Sequence, residues 1–196
     1  PQIDSKLIDK AKEELGIKKN DFVIGAFNRM EKYTEPFLEF LCRLLDKEKR
    51  IKILLAGPNS QNSVNTKLKR YINENRAIVL GPVNVNILGH CLDLGVDTFP
   101  LHSGYSVLEL MAKKIPVIAK KDKYLGSLIK DRLPETLRSE ESDLESLVLN
   151  LVNDSMLLES YKNKTNNFMS KKEKSKEFLE SLDDRINILT RAKEYE

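Results

Sequence analysis

The stretch Leu101-His102-Ser103-Gly104-Tyr105-Ser106-Val107-Leu108-Glu109 gathers residue types that can hold an anion. Gly104 lets the backbone come close to a ligand, and Ser106 adds a hydroxyl. The chain from Ser106 to Lys113 reads as a helix. The unpaired amides and positive dipole end of such a helix suit a diphosphate, with His102 at the same rim. Glu109, in the first turn, can accept hydrogen bonds from a pair of sugar hydroxyls. Ser106 to Glu109 also fits the S-x-x-E capping box, which needs no ligand. A second group is Asn28-Arg29-Met30-Glu31-Lys32, whose Arg29 and Lys32 can neutralise phosphate charge, although both also read as ordinary surface cations. Gly81-Pro82-Val83-Asn84 can offer backbone groups to the edge of a base, and by itself is a turn.

These segments are joined by a regular alternation of elements. Apolar runs at Phe22–Phe27, Ile51–Ala56, Ala77–Leu80, Val96–Pro100 and Pro116–Ala119 read as buried strands. Between them lie helical stripes: Phe37, Leu41, Leu44 and Leu45 behind a Thr34 cap and Pro36, then Val64, Leu68, Tyr71 and Ile72. Shorter helices are expected at Asn86–Leu94 and Tyr124–Lys130. Five strand–helix repeats predict an α/β fold, a doubly wound Rossmann-like parallel sheet of about five to six strands with helices on both faces. The expected organisation is an N-terminal helix over 1–20, the Rossmann-like domain over 21–135 and C-terminal helices over 136–196. The last region begins with a predicted capping box at Ser142-Asp143-Leu144-Glu145 and continues through helices near Met156–Phe168 and Phe178–Leu189. In such a sheet, ligands bind beyond the carboxyl ends of the strands, where the anion-holding segments fall.

Composition narrows the function classes. Over 196 residues, 33 lysines and arginines against 30 acidic residues leave a formal net charge of +3, too small to argue for a nucleic-acid partner. Cys42 and Cys91 are the two cysteines, a usage that fits a reducing, cytoplasmic location. No apolar run reaches the ~18–20 residues that span a bilayer. The chain has no G-x-G-x-x-G, P-loop or G-x-S-x-G, which weakens dinucleotide, ATPase and serine-hydrolase readings. His90 and His102 have no partners at metal-ligand spacing, and no Asp-x-Asp pair stands at the rim, so no metal or cofactor is expected.

Asp97 to Ile118 resembles the donor-site signature of the C-terminal half of GT-B fold glycosyltransferases: a Gly-rich turn opening a helix with an acidic residue, followed by a Pro-Val strand start. Lys114 stands where Gly is common in that signature. Gly25-Ala26-Phe27-Asn28-Arg29-Met30-Glu31-Lys32 is similar to a segment of the O-linked N-acetylglucosamine transferase family and of bacterial cytoplasmic N-glycosyltransferases. Leu133-Pro134-Glu135-Thr136-Leu137 is similar to the latter as well. The likeness covers roughly residues 20–155.

The resemblance implies a nucleotide-sugar donor, with UDP the commonest nucleotide. Lys32 and Arg29, with His102, Ser103, Gly104, Tyr105 and Ser106, would meet the diphosphate. Glu109 would bind the ribose, and Gly81, Val83 and Asn84 the base. Retaining members carry a second glutamate eight positions before the one matched by Glu109; here that position is Leu101, which points to inversion. The resemblance further implies that the general base and the acceptor site belong to an N-terminal domain preceding Pro1. The expected activity is transfer of a hexose from a UDP-sugar to a protein, lipid or glycan acceptor in a bacterial cytoplasm, with peripheral membrane association left open. The alternatives are a nucleotide-sugar epimerase of the same fold and a non-catalytic nucleotide-binding or scaffold module.

Overall fold

Buried apolar runs closed by turn residues build a sheet, and the amphipathic stretches between them cover it. The computed structural model describes residues 4–121 and 137–173. In chain order these residues form α1 (Ser5–Glu14), β1 (Phe22–Phe27), α2 (Glu35–Lys47), β2 (Ile51–Ala56), α3 (Asn62–Asn73), β3 (Ala77–Leu80), α4 (Val85–Leu88), β4 (Leu94–Val96), α5 (Tyr105–Ala112), β5 (Val117–Lys120), β6 (Arg138–Ser139), α6 (Glu141–Asn153) and α7 (Ser155–Glu173). The strands are parallel in the order β3-β2-β1-β4-β5-β6. This is the doubly wound arrangement expected of the alternation. Helix α2 packs against both α3 and α6, and α5 packs with α7 and β5. Phe37, Phe40, Ile24, Ile53, Leu54, Leu55 and Leu68 are fully enclosed in the resulting core.

β1 and β2 pair from Phe22↔Ile51 to Phe27↔Ala56. Every position of β2 is buried, including Lys52, whose ammonium meets the Asp21 carboxylate at 3.2 Å and the Gly16 carbonyl oxygen. A buried cation is tolerable only with such partners.

Several predicted details differ. β4 is Leu94–Val96 rather than Val96–Pro100; beyond it the Asp97 amide still bonds the Ile118 carbonyl, and the Asp97 carboxylate accepts the Ser103 amide to close the following residues into a loop. The helix predicted over Asn86–Leu94 is one turn, α4, followed by a 3₁₀ turn at Gly89–Cys91. Thr34 precedes α2 but does not cap it; its hydroxyl donates to the Phe99 carbonyl instead. The Ser142–Glu145 capping box is not formed, since Glu145 is held by Arg43 and Lys47 of α2. The two lysine and arginine contacts hold its carboxyl below the ordinary range, against the opposing effect of burial. The helix predicted at 124–130, the first four residues of the Leu133–Leu137 segment and the helix at 178–189 lie outside the described residues. Among the described residues, no helix is long and apolar enough to cross a membrane.

The end of α5 explains why its signature position favours glycine. Lys114 has φ +65°, its amide donates to Met111 and the Ile115 amide donates to Leu110. That is a Schellman end, whose left-handed residue is normally Gly. Lys114→Gly is therefore expected to stabilise the chain by about 1 kcal/mol, raising the thermal midpoint by about 2–4 °C. A lower midpoint on thermal melting would contradict this account of the turn.

Candidate functional site

Between β1 and β4 the strand order reverses, so the loops leaving these neighbouring strands diverge and open a crevice at their carboxyl ends. A cleft of about 540 Å³ lies there. Phe27, Asn28, Arg29 and Lys32 line it from the β1 side. Ala56, Gly57 and Pro58 follow β2, Pro82, Val83 and Val85 follow β3, and Gly104 and Tyr105 open α5.

The β1 loop is fixed by main-chain bonds. The Asn28 amide donates to the Ala56 carbonyl at 2.9 Å and to the Tyr33 hydroxyl at 3.0 Å. That hydroxyl lies 2.6 Å from the Ala26 carbonyl and 2.9 Å from the Ala56 carbonyl. Burial raises the Tyr33 pKa well above the ordinary phenol range, opposed by its backbone contacts, so the phenol keeps its proton and can donate. Gly57 lies directly behind: a Cβ there would stand 1.6 Å from the Asn28 carbonyl oxygen.

The β4 loop is tied at several points. One Asp97 carboxylate oxygen accepts the Ser103 amide, and the other meets His102 Nδ1, both at 2.7 Å. Phe99 packs edge-on against Phe37 and Phe40. Lys32 Nζ donates to the His102 carbonyl at 2.6 Å, which holds the cation against the segment leading into α5. Gly104 is the N-cap of α5, with no side-chain cap bond. The N-terminus of α5 borders the cleft, which Gly104 and Tyr105 line.

Of the residues singled out in the sequence, Arg29, Lys32, Gly104, Tyr105 and Val83 come together in this wall. The others are not among the residues that line it. His102 turns a buried ring onto Asp97, and Ser103 is buried. The Ser106 hydroxyl donates to Asn28 Oδ1 at 3.1 Å, so the Ser106–Glu109 capping box is not formed. Glu109 is exposed on α5. Gly81 accepts the Gly57 amide through its carbonyl, and Asn84 caps α4 by accepting the Asn86 amide. Sequence reasoning missed Asn28, Tyr33, Gly57 and Asp97. The Gly-Pro pair that immediately follows a buried strand was the available signal for Gly57. Among the described residues, no group of three or more His, Cys, Asp or Glu could hold a metal ion.

The chain matches solved structures closely in shape and weakly in sequence. Anabaena HepE, crystallised with UDP and glucose, superposes with a TM-score of 0.69 at 17% identity over 86% of this chain and 48% of its own. An O-GlcNAc transferase from Thermobaculum terrenum gives 0.68 and 19% over 86% and 36%. The C-terminal domain of the group 1 glycosyltransferase LpcC from Francisella tularensis gives 0.62 and 19%, over 88% of this chain and 99% of that domain. The fold is that of a GT-B C-terminal domain. No protein-family model matches the chain, and neither does any curated protein. The chain spans about half the length of HepE.

Within this GT-B C-terminal domain fold, Gly57 sets how closely the β1 and β2 loops approach. Gly57→Ala is expected to cost about 3 kcal/mol, because the clash is with backbone rather than a flexible side chain. A urea denaturation midpoint equal to that of the parent chain would contradict this.

Proposed function

We propose that this chain is the donor-binding domain of a glycosyltransferase that uses a UDP-sugar. The observation that carries the reading is the convergence of Arg29, Lys32 and the uncapped first turn of α5 on one cleft at the switch point. Cations and aligned amides suit a diphosphate. The HepE structures with UDP, and with UDP and glucose, support the choice of nucleotide.

In this reading the diphosphate rests on the amides after Gly104, beside Lys32 and Arg29. The base lies against Pro82 and Val83, with backbone groups of Gly81 and Asn84 nearby, and Glu109 takes the ribose hydroxyls. The acceptor displaces the diphosphate at the anomeric carbon: the bond to the sugar's anomeric carbon forms as the bond to the phosphate oxygen breaks. Negative charge then grows on the departing diphosphate, where fixed donors can lower the barrier by several kcal/mol. Arg29, Lys32 and the α5 amides meet that charge without a metal ion. The exposed Leu101 supplies no carboxylate at its position, in keeping with inversion. The general base and the acceptor site belong to an N-terminal domain of the whole protein, and the setting is a bacterial cytoplasm.

Calorimetric titration of UDP into the chain tests the assignment. Lys32→Ala is expected to weaken binding about tenfold or more, the loss of a charge-assisted contact. Glu109→Ala is expected to weaken it less, by about threefold to tenfold. Binding to the parent chain is expected to persist undiminished in EDTA. Equal affinity in all three proteins would remove the site assignment, and loss of binding in EDTA would remove its metal independence.

A further inference from the structure

We propose that Asn28 is the positioning residue of the diphosphate site, a role that rests on the donor-binding reading above. Its carboxamide ties the first turn of α5 to the loop that carries Arg29 and Lys32. Nδ2 donates to Ser103 Oγ at 2.8 Å, while Oδ1 accepts from Ser106 Oγ at 3.1 Å. Those two serines bracket Gly104 and Tyr105, the residues through which α5 lines the cleft. A carboxamide offers a donor and an acceptor side by side with no charge.

The other end of the tie is rigid. The Asn28 amide is shared between Tyr33 and Ala56, and its carbonyl oxygen sits where any side chain at Gly57 would clash. Arg29 follows directly in the chain. The fork therefore transmits the fixed position of β1 to the helix terminus, so that amides and cations face the cleft in one preset arrangement. It also engages both serine hydroxyls, Ser103 as acceptor and Ser106 as donor, leaving the phosphates to the α5 amides and the cations. A site organised before its ligand arrives avoids the ordering cost of binding.

This predicts a phosphate-specific defect. UDP and uridine, which lacks the phosphates, are titrated into the 196-residue chain and its Asn28→Ala, Ser106→Ala and doubly substituted variants, with thermal melting of each. Asn28→Ala is expected to weaken UDP about tenfold or more, with uridine changed by less than about twofold. Ser106→Ala is expected to weaken UDP less. The double variant is expected to match Asn28→Ala, since both changes cut one tie. Should Asn28→Ala fail to fold, Ser106→Ala carries the same comparison of UDP with uridine. The proposal is overturned if Asn28→Ala binds UDP like the parent, if UDP and uridine weaken by one factor, or if the single effects multiply. A parent chain that does not bind UDP overturns the donor-binding reading and this proposal together; a parent that binds, with an unaffected Asn28→Ala, overturns this proposal alone.

Discussion

The adjacency of β1 and β4 governs the molecule. They run parallel with Ile24 beside Leu94 and Gly25 beside Gly95, yet the chain leaves them toward opposite flanks of the sheet. Glycine at both members of the second pair is a packing requirement. A side chain at Gly25 would strike Leu92 and the Leu54 carbonyl, and one at Gly95 would strike Val117. The two departing loops open a single crevice, lined by the α5 terminus and by the cations of the β1 loop, with Lys32 bonded to the segment that leads into α5.

Holding two diverging loops at one spacing takes polar ties that tolerate burial. Asp97 is 2% exposed, a costly place for a carboxylate, but each of its oxygens has a partner in the loop it closes. Tyr33 works in the same way on the other side, its buried phenol gathering the ends of β1 and β2. Aromatic packing of Phe99 on α2 completes the frame, so the loop after β4 is anchored to the helix that follows β1. Helix α2 and the loop after β4 are thereby coupled through the core, in addition to the ties at the cleft.

Much of this frame was legible in the residues. The runs at Phe22–Phe27, Ile51–Ala56 and Ala77–Leu80 are the strands observed, because buried parallel strands are continuous apolar stretches. The cleft residues Arg29, Lys32, Val83, Gly104 and Tyr105 were found by asking where such strands end. What escaped was long-range. Asn28 bonds serines 75 and 78 positions away, and Thr34 bonds Phe99 at a separation of 65; no local pattern records either pairing. Local capping rules failed for the same reason: Thr34, Ser106 and Glu145 found distant partners that outcompeted their own helices. Lys114 shows the reverse case, where a strictly local motif explains a departure from the expected glycine.

The central claim is that the α5 terminus faces a pyrophosphate. Backbone amide shifts in solution, followed by nuclear magnetic resonance as UDP is added, address it most directly. The account predicts that the largest displacements fall on the amides of Gly104, Tyr105 and Ser106, with smaller ones at Arg29 and Val83. Saturating UDP that leaves those amides in place, or moves a set elsewhere on the sheet, would contradict it.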